Sequence, residues 1–267
     1  MKVKPTFFGV TLPHKVPFNT TLVLISGYVT VIVVLEVIGV FGPTMLSIAG
    51  DALLIPILLN HYVLAEQAPY RRLLPALALI PLLRIFSLAI PLRELPELYW
   101  YMLVGLPLLL ATFLIVRLLG LSAGNLGLKR AAWLGQFLIA LSGVPLGWIA
   151  FLLFRPQPLV GEYNLATILA GVVILTIFAG FVEEIIFRGV LQRVASEVFG
   201  LGGLVLSNGL FTLMYLGNLS WGYLLFMGLA GFYFGWSVRR TGSIWGVALA
   251  HSLLTIGLLL VWPFVWG

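Results

Sequence analysis

Long apolar runs separated by short polar stretches recur along the whole chain. A membrane-spanning helix needs about 20 mostly apolar residues, and nine stretches of the sequence reach or approach that length. With boundaries good to about three residues, these stretches cover positions 20–41, 43–64, 73–92, 97–119, 131–154, 164–187, 201–217, 219–238 and 244–265. The seventh is the shortest, and eight full spans remain without it. The pattern predicts an all-α fold, a polytopic transmembrane helical bundle of about 8–9 spans.

The composition agrees with a membrane protein and excludes a soluble one. Of the 267 residues, 61% are hydrophobic and 9% are charged, whereas about 25% are charged in a typical soluble domain. The net charge of +6 does not indicate a nucleic-acid partner, because the basic residues of membrane proteins collect in cytoplasmic loops. The sequence has no cysteine, which excludes disulfides, thiolate metal sites and a cysteine nucleophile.

The basic residues predict the orientation of the chain. If the N-terminus lies in the cytoplasm, twelve of the 15 Lys and Arg residues fall on cytoplasmic segments. These twelve are Lys2, Lys4, Lys15, Arg71, Arg72, Arg117, Lys129, Arg130, Arg188, Arg193, Arg239 and Arg240. The outer loops then hold Arg93 and Arg155, and Arg84 lies within a span. Because cytoplasmic loops carry an excess of Lys and Arg, we predict an integral protein of the cell (plasma or inner) membrane with a cytoplasmic N-terminus.

Three charged residues fall inside the early spans, where an unpaired charge is costly. Asp51 and Arg84 each lie about 12 Å from the outer ends of their spans, at about 1.5 Å per residue. The simplest interpretation is a structural ion pair between them, and Glu36 is a competing partner for Arg84. A transport pathway built on the same three charges is the alternative.

Two neighbouring glutamates stand at the end of the sixth apolar stretch. Glu184 and Arg188 are four positions apart and can pair on one helix face, whereas Glu183 points about 100° away from Glu184. The arginine can therefore hold one glutamate while the other faces a different partner. A carboxylate in a partly dry site suits general-base chemistry. The alternative is an interfacial helix end at which both glutamates simply reach water.

A histidine and a threonine share one face of the last apolar stretch. His251 lies about 10 Å below the cytoplasmic end of that stretch, and Thr255 follows four positions later. On the sequence alone, such a histidine is more often a hydrogen-bonded structural residue than a catalytic one.

Three short motifs occur in the order that one family of membrane proteases shows. Residues 183–188 read E-E-I-I-F-R and resemble the E-E-x-x-x-R motif of the CAAX-protease and bacteriocin-processing (CPBP, or Abi) family of intramembrane proteases. That family has an F-x-x-x-H motif on the next span and an H-x-x-x-N/D motif near the end. This chain has F-T-L-M-Y at 211–215 and H-S-L-L-T at 251–255. The resemblance covers about residues 165–257.

The resemblance implies a cavity within the helical bundle that is open to the cytoplasmic side. Glu183 would activate a water molecule there, and His251 would orient that water or share its proton. Thr255, as the polar partner in the third motif, would help to stabilise the oxyanion. The implied substrates are C-terminally prenylated proteins and peptides cut in or near the bilayer.

Two residues depart from the family pattern. Tyr215 stands where the second motif has histidine, and its phenol can donate a hydrogen bond to an oxyanion but is a poor base at neutral pH. Thr255 stands where the third motif has Asn or Asp, and it is a shorter and weaker donor. A zinc site needs three protein ligands, and beside Glu183 and His251 the sequence offers no third one. We therefore predict no metal and no cofactor.

Together these features predict an intramembrane endopeptidase of the CAAX-prenyl-protease type, in which a glutamate-activated water attacks a peptide bond near the cytoplasmic side of the bilayer. The predicted catalytic residues are Glu183, Glu184, Arg188, Tyr215, His251 and Thr255. The alternative is a catalytically silent family member that acts as a membrane-protein binding, assembly or regulatory subunit.

The predicted organisation follows from the same features. It comprises a cytoplasmic N-terminal segment (1–19), N-terminal transmembrane helices (20–160) and C-terminal transmembrane helices that resemble the family core (161–267). The predicted partners are membrane lipid and either a membrane-embedded or prenylated substrate or a membrane protein, with no nucleic acid.

Overall fold

Two short strands and a series of helices make up the described part of the chain. The computed structural model describes residues 6–7, 10–11, 18–90, 96–129 and 131–266. Strand β1 (Thr6–Phe7) pairs with β2 (Val10–Thr11) in an antiparallel arrangement. Most of the predicted cytoplasmic segment 1–19 lies outside these described residues. So do five of the basic residues used to predict the orientation, namely Lys2, Lys4, Lys15, Arg93 and Arg130.

Nine helices lie within the described residues, one for each predicted apolar stretch, and the predicted all-α polytopic bundle is confirmed. They are α1 (Phe18–Phe41), α2 (Thr44–Leu64), α3 (Leu73–Ala89), α4 (Glu97–Leu118), α5 (Trp133–Phe154), α6 (Leu165–Phe199), α7 (Leu201–Leu213), α8 (Trp221–Thr241) and α9 (Trp245–Trp266). A short 3₁₀ turn, Leu216–Asn218, lies between α7 and α8.

Six helices are long and apolar enough to cross a membrane, namely α1, α2, α4, α5, α6 and α9. They indicate an integral membrane protein. Helix α3 is apolar but has 17 residues, and α7 has 13 residues. That α3, α7 and α8 also span the membrane stays a prediction.

Helix α9 lies at the centre of the bundle. Of its apolar window, 61% is buried inside the protein, against 22–33% for the other five long apolar helices. Small residues let its neighbours approach closely. Gly143 of α5 lies against the backbone of Ala250, and Gly180 of α6 lies against the Ser252 side chain. These contacts hold α9 at a defined depth and rotation, and so position His251.

Helix α6 is longer than the sequence predicts. It has 35 residues and continues to Phe199, whereas the apolar stretch ends near position 187. The extension is polar on its outer face, where Arg193 and Glu197 pair at 3.4 Å. The length of the apolar run therefore predicts a helix that is shorter than the observed one. The prediction that the two glutamates stand at the end of this helix is wrong, because they lie near its middle.

Polar contacts tie the loops together at one end of the bundle. Arg72 donates to Glu197 at 2.7 Å and to the Leu119 carbonyl at 3.2 Å. The Ile244 amide donates to the Gly127 carbonyl at 3.0 Å. This end, which we call the basic end, is formed by residues 65–72, 117–129, 193–200 and 239–245.

Other contacts close the second end of the bundle. The Leu159 amide donates to the Leu259 carbonyl at 2.9 Å, and the Tyr163 hydroxyl donates to the Leu260 carbonyl. This end, which we call the opposite end, is formed by residues 155–164 and 214–220, together with the adjoining ends of α3, α4 and α8.

Candidate active site

The two neighbouring glutamates of α6 point in different directions, as the helical geometry predicts. Two π-helical stretches, Leu175–Val182 and Ile185–Leu191, lie immediately before and after them, and such stretches are frequent at functional sites. Glu184 is completely buried, whereas Glu183 is partly exposed and lines a cavity. The alternative in which both glutamates reach water at an interface is therefore wrong.

Glu184 is the centre of a buried polar network. Its Oε1 atom accepts a hydrogen bond from Nη1 of Arg188 at 2.8 Å and lies 3.0 Å from Nδ1 of His251. Arg188 also donates to the Gly231 carbonyl at 3.0 Å, and its guanidinium stacks 4.1 Å from the ring centre of Phe211. The predicted pairing of Glu184 with Arg188 is present. It gives the carboxylate a positive partner where water cannot reach it.

A cavity of about 280 Å³ lies beside this network. Four of the six predicted site residues line it, namely Glu183, Tyr215, His251 and Thr255. Glu184 and Arg188 are not among its lining residues and lie behind it. The structure thus divides the predicted set into four residues that line the cavity and two that lie behind it.

Glu183 and Tyr215 meet across the cavity from different helices. The Tyr215 hydroxyl donates to Oε2 of Glu183 at 3.3 Å. Tyr215 follows the last turn of α7, and its ring packs edge-on against Phe211, 5.2 Å between ring centres. The tyrosine of the second motif therefore faces the carboxylate and not the lipid.

His251 belongs both to the buried network and to the cavity wall. Its Nδ1 atom faces Glu184. Among the described residues, Nε2 has no hydrogen-bond partner, so it is the ring nitrogen left for a ligand in the cavity. A carboxylate bound to one ring nitrogen sets which tautomer and which nitrogen a histidine presents. The structure therefore gives this histidine a partner that the sequence alone did not identify.

Arg84 lines the same cavity, although the sequence places it only in a structural pair. Its Nε atom lies 2.5 Å from Oε2 of Glu36, while Asp51 accepts a hydrogen bond from Ser47 at 3.5 Å. The predicted Asp51–Arg84 pair is wrong, and the competing partner Glu36 takes its place. The position of a residue along its helix predicts how deep it lies in the membrane but not how the helix is rotated. The rotation determines whether Arg84 faces Asp51 or Glu36.

Three aromatic side chains of the cavity wall are not predicted as site residues from the sequence. Trp100 and Tyr101 come from the start of α4, and Tyr223 comes from the start of α8. Aromatic residues near helix ends are typical interfacial anchors of membrane proteins. Nothing in their sequence positions distinguishes these three from such anchors.

The described residues contain no group of three or more His, Cys, Asp or Glu side chains that could hold a metal ion. The four predicted residues that line the cavity supply a carboxylate, an imidazole, a phenol and a hydroxyl. That set can move a proton and stabilise an anion.

A comparison with protein families agrees with the motifs. Residues 165–257 match the family model described as type II CAAX prenyl endopeptidase Rce1-like. This segment runs from the start of α6 into α9 and contains every residue of the predicted catalytic set. The resemblance seen in the sequence is confirmed over this segment. The match and the six long apolar helices together indicate a membrane protein whose segment 165–257 is similar to that family.

Searches of the curated proteins and of the solved structures found no match to this chain.

Proposed function

We propose that this protein is an intramembrane endopeptidase in which Glu183 activates a water molecule for attack on a peptide bond. The observation that carries the proposal is the unequal environment of two adjacent carboxylates. Glu184 is paired with Arg188 in the core and lies within hydrogen-bond distance of Nδ1 of His251, while Glu183 projects into the cavity and accepts a hydrogen bond from Tyr215. A carboxylate that faces an enclosed cavity is suited to act as a general base.

The proposed reaction uses four groups of the cavity wall. Glu183 takes one proton from the water. Nε2 of His251 accepts a hydrogen bond from the other O–H group of the same water molecule and so orients that molecule. The water oxygen bonds to the carbonyl carbon, and the oxyanion that forms receives hydrogen bonds from the hydroxyls of Tyr215 and Thr255. The carbon–nitrogen bond then breaks as Glu183 passes its proton to the leaving amine. The products are a free acid and a free amine.

The substrates of the proposed reaction are peptides held at the membrane, either prenylated or embedded in the bilayer. The cavity lies within the helical bundle, and its wall contains the apolar side chains of Leu83, Met227 and Leu258 beside the polar groups. Such a wall fits an extended, partly apolar peptide. Lipid is the natural surrounding of the six long apolar helices.

A panel of prenylated and membrane-embedded peptides tests the proposal. Purified wild-type protein in lipid vesicles is expected to cut at least one of them, and Glu183→Ala is expected to lower that rate by at least about 100-fold, since general-base catalysis contributes about 10² to 10⁴. Glu162→Ala, an exposed acidic position on the loop before α6, is the matched control and should cleave normally. Cleavage that survives Glu183→Ala refutes the proposed base.

A catalytically silent binding or assembly subunit is the second candidate. The observation that favours it is the phenol of Tyr215 in the place where the family has an imidazole. Tyr215→His tests it, because a histidine here would face Glu183 across the same cavity. Cleavage by Tyr215→His but not by the wild type would support the silent candidate. If the wild type cleaves and Tyr215→His is equally or less active, the silent candidate is refuted.

A further inference from the structure

One guanidinium lies in the cavity wall outside the proposed catalytic set. Among the described residues that line the cavity, Arg84 is the one Lys or Arg and Glu183 is the one Asp or Glu. The two do not pair with each other. Arg84 pairs with Glu36, whereas Glu183 accepts a hydrogen bond from Tyr215. The cavity wall therefore carries a negative group and a separate positive group, and the proposed reaction uses only the negative one.

The guanidinium of Arg84 is held on one side and open on the other. Its Nε atom lies 2.5 Å from Oε2 of Glu36, whose side chain is fully buried. Its Nη1 atom donates to the Ser87 hydroxyl at 3.4 Å, and that hydroxyl donates to the Arg84 carbonyl at 3.0 Å. Nη2 donates to no described residue, and 11% of the side chain is exposed. Glu36 and Ser87 therefore orient a guanidinium whose Nη2 end is available to a ligand.

The chemistry of this open end selects one kind of ligand group. A guanidinium presents five N–H donors in a planar fork and no acceptor, and the fork matches the two oxygens of a carboxylate. In a peptide that group is either the chain end or the side chain of Asp or Glu. The cavity of about 280 Å³ lies just below the range of about 300–1,000 Å³ for ligand pockets. A peptide segment that fills it can therefore reach both Arg84 and Glu183.

We propose that Arg84 is a specificity-determining residue that binds a carboxylate of the peptide substrate and so positions a nearby peptide bond against Glu183. This inference rests on the proposed function, since the bound peptide is the substrate of that reaction. A peptide without a carboxylate leaves the open end of the guanidinium unpaired in the cavity, and so it binds more weakly.

Binding of four labelled peptides to Glu183→Gln protein tests the proposal without cleavage. The peptides share one short apolar sequence with a fluorophore at the N-terminus. The first two lack acidic residues and end in a free carboxylate or in a carboxamide, and the other two are carboxamides with one internal Glu or Gln. Fluorescence anisotropy in detergent measures each dissociation constant. In at least one pair the carboxylate is expected to bind at least about tenfold more tightly, because hydrogen bonds between charged groups are the strong ones. The pair that shows the preference identifies which carboxylate Arg84 binds.

A double variant with its matched control assigns the preference to Arg84. Removal of Arg84 alone would leave Glu36 as a buried carboxylate without its partner, so Arg84→Gln is combined with Glu36→Gln. The double variant is expected to bind the acidic and neutral peptides equally, with the affinity of the neutral one. Glu36→Gln alone keeps the guanidinium and should keep the preference. Thermal unfolding in the same detergent verifies that each variant is folded.

Three results would overturn the proposal. They are equal binding of acidic and neutral peptides (or binding of none) by Glu183→Gln protein, a preference that survives in the double variant, and a preference already lost in Glu36→Gln alone. Wild-type cleavage that does not depend on a carboxylate would likewise refute this inference and leave the proposed function intact. A carboxylate preference in binding, with no cleavage by the wild type, would instead refute the proposed function alone.

Discussion

At the residue scale, the site depends on two adjacent glutamates with different surroundings. Glu184 has a guanidinium and an imidazole within 3.0 Å, and Glu183 has a phenol and open space. The sequence predicts the division of roles, because neighbouring positions on a helix point about 100° apart. It does not predict that Glu184 also holds His251, since that contact joins residues 67 positions apart.

The buried pair of Glu184 and Arg188 is expected to matter for stability as well as for the site. Arg188→Met leaves a buried carboxylate without its main positive partner, which costs about 3–5 kcal/mol when a buried pair is broken. Arg72→Met removes the partly exposed pair with Glu197 and should cost about 1 kcal/mol or less. Equilibrium unfolding in detergent measures both changes. Equal losses for the two variants would contradict the assigned importance of the buried network.

At the element scale, the positions of the helices follow from the sequence more closely than their rotations do. The nine helices of the described residues coincide with predicted apolar stretches. For the six long apolar helices the reason is that the bilayer requires an internally hydrogen-bonded segment of about 20 apolar residues. The continuation of α6 to Phe199 was missed, since its last turns are stabilised by ion pairs and not by apolar length. The partner of Arg84 was missed because helix rotation depends on tertiary packing.

Close packing of α5 on α9 gives a prediction with a matched control on the same helix. A Cβ atom at Gly143 would overlap the backbone of Ala250, whereas a Cβ atom at Gly135 meets nothing within 4 Å. Gly143→Ala is therefore expected to cost about 1–3 kcal/mol through overpacking and to lower activity by displacing His251. Gly135→Ala should change stability by less than about 1 kcal/mol. Thermal unfolding and cleavage rates check both, and indistinguishable variants would refute the role of this contact.

At the scale of the whole molecule, the cavity lies towards the opposite end of the bundle and away from the basic loops. The sequence predicts the charge bias, and the resemblance implies a cavity open to the cytoplasmic side, but the sequence does not show where the cavity lies relative to the basic loops. That relation depends on how α3, α4, α7 and α8 surround α9.

The central claim is that the Glu183 carboxylate is the base. The cleavage rate of purified Glu183→Gln, compared with wild type on one peptide that the wild type cuts, tests this claim most directly. Gln has nearly the same shape but cannot take a proton at neutral pH. We predict a rate at least about 100-fold lower, with an unchanged unfolding temperature that shows the fold is intact. A rate within about twofold of wild type would contradict the proposed mechanism.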